Sequence, residues 1–182
     1  MTMTMTITGP AAAVEYPETE MVTFTACRPR HLAALDVGIP LELMARLNAA
    51  AEDICNEYAW AAFSGCELVG AGGILVHWRG IDDVGGACGF GEAWARVGQV
   101  PMRAWPAITR RVRTELDLAA AAGIRLIECT VDMGFAAGHR WAERLGFEVA
   151  CRRPSWGVTG HDAVLYQRHR PPPPGRQPAT RR

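Results

Sequence analysis

Residues 94–147 read WARVGQVPMRAWPAITRRVRTELDLAAAAGIRLIECTVDMGFAAGHRWAERLGF, and this stretch decides the fold. Its apolar side chains fall at Trp105, Ile108, Val112, Leu116 and Ala119, the three-and-four spacing that lays one helix face on a core. Arg110, Arg111, Arg113 and Asp117 lie off that stripe, so a helix is predicted over about 105–122. Gly123 ends it as a C-cap residue would, and 124–132 is a nearly continuous apolar run of the kind buried on both faces of a sheet. Ala137, Trp141 and Leu145 then recur at intervals of four, so a second helix turns Trp141 inward and stops at Gly146. Upstream, 94–98 reads as a strand and 99–103 as a turn. Strand, helix, strand and helix in this order make a right-handed crossover unit.

The remaining segments frame that unit. Residues 22–27 alternate like a half-exposed strand, and 28–36 read as a short helix. A longer helix is predicted after Pro40, with Leu41, Met44, Leu47, Ala51, Ile54 and Tyr58 on one stripe. Pro40 suits a first turn, where the missing amide has no helical partner. Two strands, 59–63 and 67–78, flank Ser64-Gly65-Cys66 as a hairpin, and Gly70, Gly72 and Gly73 imply a bulge or a close approach. Residues 79–91, with five glycines and two aspartates, read as a mobile loop before a strand starting at Glu92. Residues 147–153 and 163–169 form a terminal hairpin. The low-complexity segment 1–20 is expected to be disordered, or to lie upstream of a start at Met21, and the Pro- and Arg-rich tail 171–182 to be disordered or polyproline-like. One domain over 21–170 is the expected organisation, as a chain of 182 residues allows.

Composition excludes several classes. No apolar run approaches ~20 residues, so no membrane span is expected, and the N-terminal stretch lacks the basic and apolar regions of a secretory signal. The expected site of action is cytoplasmic. Six cysteines stand singly with no Cys-x-x-Cys pair, so no zinc site is expected, and Cys55 and Cys129 read as small buried residues. There is no lysine. All nineteen acids precede a tail carrying Arg168, Arg170, Arg176, Arg181 and Arg182, so zero net charge conceals a basic end on an acidic body. That tail could meet nucleic acid through counterion release, but it lacks the interleaved aromatics of a single-strand binder and reads as a tether. The glycines of 85–91 do not make a dinucleotide fingerprint, because a strand rather than a helix follows them.

The element order and the motif His139-Arg140-Trp141-Ala142-Glu143-Arg144-Leu145-Gly146-Phe147 resemble the GNAT-type N-acetyltransferases over about 21–170. With Gly91-Glu92-Ala93-Trp94 and the Trp105-Pro106 helix start, the chain most resembles a divergent GNAT-like group of phages and prophages. Some members of that group are described as internal or structural virion components. The resemblance implies a single α/β domain with a mixed, mostly antiparallel sheet, splayed at its centre to admit acetyl-CoA and flanked by helices. It further implies transfer of an acetyl group to an amine of unknown identity. In the superfamily the pyrophosphate lies on outward-pointing amides at a helix start, beside the positive end of its dipole.

Carried onto this sequence, the cofactor-binding positions are Val97, Gly98, Val100, Met102, Arg103, Ala104, Trp105, Ala107 and Phe135. Arg110 and Arg111 could meet the adenosine phosphate, or face solvent. The departures are specific. Trp105, Pro106, Ala107 and Thr109 replace spaced glycines, Phe135 replaces a cofactor-holding Asn, and Ala142 replaces the tyrosine that protonates the departing thiolate. Glu92 is the candidate base, its plain alternative a strand-end carboxylate facing solvent. Tyr166 is the candidate substitute acid, its plain alternative a sheet tyrosine with a wet hydroxyl. His139 and His161 show no partner at a meaningful spacing. The competing expectation is therefore a GNAT scaffold without turnover, a structural or virion-associated protein, with a homodimer as a further possibility.

Overall fold

The computed structural model describes residues 22–35, 57–82, 85–98, 100–156 and 160–170. Most of the helix expected after Pro40 lies outside them, as do residues 1–21 and 171–182. The elements are β1 (Val22–Ala26), α1 (Pro29–Leu35), β2 (Trp60–Ser64), β3 (Glu67–Ile81), β4 (Ala87–Val97), a 3-10 turn (Met102–Ala104), α2 (Trp105–Ala121), β5 (Ile124–Asp132), α3 (Ala136–Arg144), β6 (Glu148–Arg153) and β7 (Ala163–His169). They build a mixed α/β fold on a seven-stranded sheet in the order β1-β2-β3-β4-β5-β7-β6. Every neighbouring pair is antiparallel except β4 and β5, which α2 joins.

The α2 stripe behaves as its spacing dictates. Ile108, Leu116 and Ala119 are buried against Trp60, Ile74, Ile127 and Val131, and Trp105 and Val112 flank them. Each large side chain removed from water here is worth about 1.5–3 kcal/mol. Glu115 is buried beside this stripe with Arg111 as its ion-pair partner one turn back. On α3, Trp141 and Leu145 turn inward but Ala137 is exposed and Gly138 takes the third inward place. The reason is the Phe135 ring, which lies where a Cβ on Gly138 would stand, 2.1 Å from Cδ1. A smaller cluster of Cys27, Leu32, Ala59, Ala71 and Trp94 packs α1 on the opposite face of the sheet.

The stretch 79–91 is not a loop. β3 continues to Ile81 and β4 begins at Ala87, paired rung by rung from Ile81↔Ala87 to Gly70↔Val97. Asp82 closes the short turn: its carbonyl accepts from Gly85 N at 2.9 Å, its carboxylate from Gly86 N at 2.6 Å, and Arg125 ion-pairs it from β5. Glycine enters these strands through space rather than mobility. A Cβ at Gly91 would lie 2.8 Å from the Ile74 side chain, and one at Gly72 2.5 Å from the Trp60 indole.

Gly123 is different. It ends α2 at φ +96°, and an added Cβ would sit 2.7 Å from Ala87 Cβ. Gly123→Ala is expected to destabilise the fold by roughly 1–2 kcal/mol from the left-handed backbone alone, read as a lower urea midpoint at unchanged slope.

Candidate functional site

The parallel ladder between β4 and β5 has four rungs and ends at Glu92↔Glu128. Beyond that rung β4 stays paired to β3 as far as Val97, and β5 to β7 as far as Asp132, but not to each other. The sheet therefore forks. Backbone groups of Ala93–Val97 and Cys129–Asp132 that face the fork have no ladder partner across it, and such groups favour a polar occupant.

On the helix side the fork is bordered by α2, α3 and the turn before α2. The cofactor-binding positions inferred from the resemblance lie around it. Val97 and Ala104 are buried, Val100 and Trp105 half-buried, Ala107 partly covered, and Gly98 donates its amide to Val69 O at 3.0 Å. Met102 is 84 % exposed and Arg103 is exposed beside it in the 3-10 turn. Phe135 caps α3 and packs into the core. Arg111 is taken up by Glu115 and by the Phe24 ring, 6.0 Å from its guanidinium, so of the two arginines considered for the adenosine phosphate only Arg110 is exposed.

Trp105 meets Trp141 edge to face, centroids 5.6 Å apart at 78°, and Trp141 Nε1 donates to Thr109 Oγ1 at 3.1 Å. The crevice left between Ala93, Ala95, Val112, Leu116, Cys129 and Trp141 measures about 30 Å³, room for a water or two. The forked backbone thus fits an extended polar arm, while the turn fits a pyrophosphate less well. Pro106 has no amide to offer, and Ala104, the N-cap, makes no side-chain capping bond. With Ala104 as N-cap, Ile108 N gives the first intrahelical bond, so Ala107 carries the first-turn amide left beyond Pro106.

The other face of the sheet carries the ionisable groups. Glu92 does not begin β4 but sits in its middle, 6 % exposed, so the solvent-facing alternative fails. Its Oε2 lies 3.3 Å from His77 Nε2, while Oε1 is buried with no hydrogen-bond partner among the described residues. Burial pushes the Glu92 carboxyl above its ordinary value; His77 and, more weakly, Arg153 pull it back down, and Glu128 adds to the rise. Glu128 accepts from Gln167 Nε2 at 2.6 Å and has Arg153 Nη2 at 3.9 Å. Behind this rung the Cys129 thiol is pushed up to about 12 by burial and by both glutamates, so it is no thiolate nucleophile.

Tyr166 stands apart from Glu92. It packs in the helix-side core, 2 % exposed, and its hydroxyl is not wet but lies 2.9 Å from His139 Nδ1 on α3. Burial raises the phenol, with Glu143 and Cys129 adding to it, which keeps the hydroxyl protonated. The two candidate catalytic side chains therefore lie on opposite faces of the sheet. His77 was not singled out from the sequence, because its place beside Glu92 depends on the register of β3 against β4. A larger groove of about 480 Å³ near the end of α2 holds Arg125, Arg168 and Arg170, but Asp82 and Asp117 pair with the first two. Among the described residues no group of His, Cys, Asp and Glu side chains could hold a metal ion, and no helix is long and apolar enough to cross a membrane.

No family model matches the chain, and no curated protein does. Solved structures do. NAA60 of Arabidopsis thaliana, in complex with acetyl-CoA, is 14 % identical with a TM-score of 0.62 over 82 % of this chain and 99 % of that one. YncA of Salmonella typhimurium, solved with its cofactor acetyl-CoA, is 14 % identical with a TM-score of 0.59 over 88 % and 100 %. A GNAT-family acetyltransferase of Streptococcus pneumoniae is 15 % identical with a TM-score of 0.54 over 82 % and 99 %. The chain therefore has the GNAT acetyltransferase fold.

The position of Glu92 sets a pH dependence. A carboxyl whose folded-state value is raised favours folding when protonated, and that contribution is lost as pH rises through the raised value. Glu92→Gln stays neutral and keeps an amide for His77. Its stability relative to the parent chain should grow from about pH 4 to pH 8, measured by urea denaturation at each pH.

Proposed function

We propose that this protein is an acyl-CoA-dependent N-acetyltransferase with a degenerate cofactor turn. The observation that carries the reading is the fork: a parallel pair that stops at Glu92↔Glu128, with a buried carboxylate on its last rung. Neighbours of the same fold hold acetyl-CoA, which supports the same ligand here.

In this reading the fork-facing backbone of Ala93–Val97 and of β5 lines the arm, and Val97, Gly98, Val100 and Phe135 border it. The amide of Ala107, with Arg103 from the 3-10 turn, meets the phosphates, and Met102, Ala104 and Trp105 shape the turn. Bound acetyl-CoA would supply an activated acyl group: the acceptor amine would form the new C–N bond as the thioester C–S bond breaks, and CoA would leave as a thiolate that takes its proton from solvent. Glu92 Oε1 takes the proton the amine gives up, a task suited to a carboxylate whose burial lifts its basicity. Tyr166, tied to His139 behind α3, acts on the site only through packing. The acceptor approaches from the Glu92 face, opposite α2 and α3.

A second reading has its own observation. Trp141, held edge-on by Trp105, lines a crevice of only about 30 Å³ on the helix side of the fork, which suits a GNAT scaffold that serves as a structural part, in a virion or otherwise, without turnover.

Thermal shift separates the two. Acetyl-CoA or CoA at ~100 times its dissociation constant should stabilise the protein by roughly 2.7 kcal/mol. A shift that appears only in Trp105→Ala assigns the protein to the plugged scaffold, and no shift in either form at millimolar cofactor ends the enzyme reading. With turnover established, Glu92→Gln should lower kcat by about 10²–10⁴ while leaving CoA affinity unchanged.

A further inference from the structure

The ladder between β3 and β4 is regular except at one place. Val76 pairs with Gly91 and Trp78 with Phe90, so His77 is the extra residue of a β-bulge. A bulge re-aims the side chain it carries. Here the imidazole stacks on Phe90, centroids 5.2 Å apart at 21°, and brings Nε2 to 3.3 Å from Glu92 Oε2. The outer edge of the pair is wet and the inner edge dry, with side-chain exposure of 34 % for His77 and 7 % for Glu92.

We propose that His77 is a positioning residue for Glu92, pinning Oε2 from the bulge and leaving Oε1 as the carboxylate oxygen without a partner. This rests on the reading of Glu92 as the base. Stacking on Phe90 fixes the ring plane, the hydrogen bond fixes the carboxylate rotamer, and the unpartnered Oε1 is the atom left for an incoming N–H. The other charged groups around Glu92 do not replace His77. Glu128, its cross-ladder neighbour on β5, is engaged by Gln167 and opposes ionisation; Arg153 of β6 reaches Glu128 first; the Cys129 thiol points into the other face and stays protonated.

The test follows the carboxyl carbon of Glu92 by NMR across pH in the full chain, a readout that needs no turnover. His77→Phe keeps a ring on Phe90 and removes the hydrogen-bonding nitrogen; His77→Gln keeps a donor and removes the ring. The Glu92 midpoint should move to higher pH in His77→Phe and by less in His77→Gln. The acid limb of kcat should follow, with KM for acetyl-CoA unchanged. A His77→Phe midpoint that superimposes on the parent overturns the inference, even if acetyl transfer is measured. A displaced midpoint in a protein without turnover keeps the His77–Glu92 coupling and removes only the acyl-transfer reading.

Discussion

Everything in this molecule depends on two neighbouring strands that stop hydrogen-bonding to each other. β4 is held by β3 along its whole length and β5 by β7 along its own, so each keeps one satisfied edge after their shared ladder ends. That arrangement lets the sheet divide into two halves joined by four rungs without either half losing its register. The unsatisfied edges are the cost, tolerable at the end of a sheet where polar groups or ligand can reach them. Short side chains at Ala93 and Ala95 leave the opening, and the indole of Trp141 narrows it from the helix side.

The division also sorts the chemistry. The helix face is an apolar core in which polar atoms are paired locally, Trp141 with Thr109 and Tyr166 with His139. The other face gathers Glu92, Glu128, His77, Gln167 and Arg153 over adjacent strands. A carboxylate buried there is costly unless it has a partner, and His77, on the same face of β3 two residues beyond Leu75, the partner of Glu92 across the ladder, brings its imidazole to 3.3 Å. In the proposed reaction a donor on the helix side and a base on the other face need a gap between them, and the fork would be that gap.

Much of the architecture was legible. The helix stripe from Trp105 to Ala119, the buried strand after Gly123, the stop at Gly146 and the terminal hairpin all follow from side-chain period and left-handed glycines, both local properties. The GNAT-like motif at 139–147 led to a fold that solved structures share. The exceptions share a cause. Glycine in 79–91 looked like loop because its composition is loop-like, yet Gly89 and Gly91 sit in β4, where Ile124 and Ile74 press from neighbours far along the chain, and Gly80 sits in β3. Ala137 looked inward by spacing, but the Phe135 ring claimed the space and gave the inward place to Gly138.

The sequence by itself determined the helices and strands after Trp105, where α2 and α3 stop, and that α2 must carry the chain between two parallel strands, because such information is written within a few residues. Only the tertiary structure decided where the ladder stops, that Glu92 is buried, and that His77 and His139 hold Glu92 and Tyr166 from 15 and 27 residues away. Those outcomes depend on register and on one bulged residue. A shift of a single position turns every side chain of a strand to the opposite face, so they are settled by how whole strands pack and not by any local pattern.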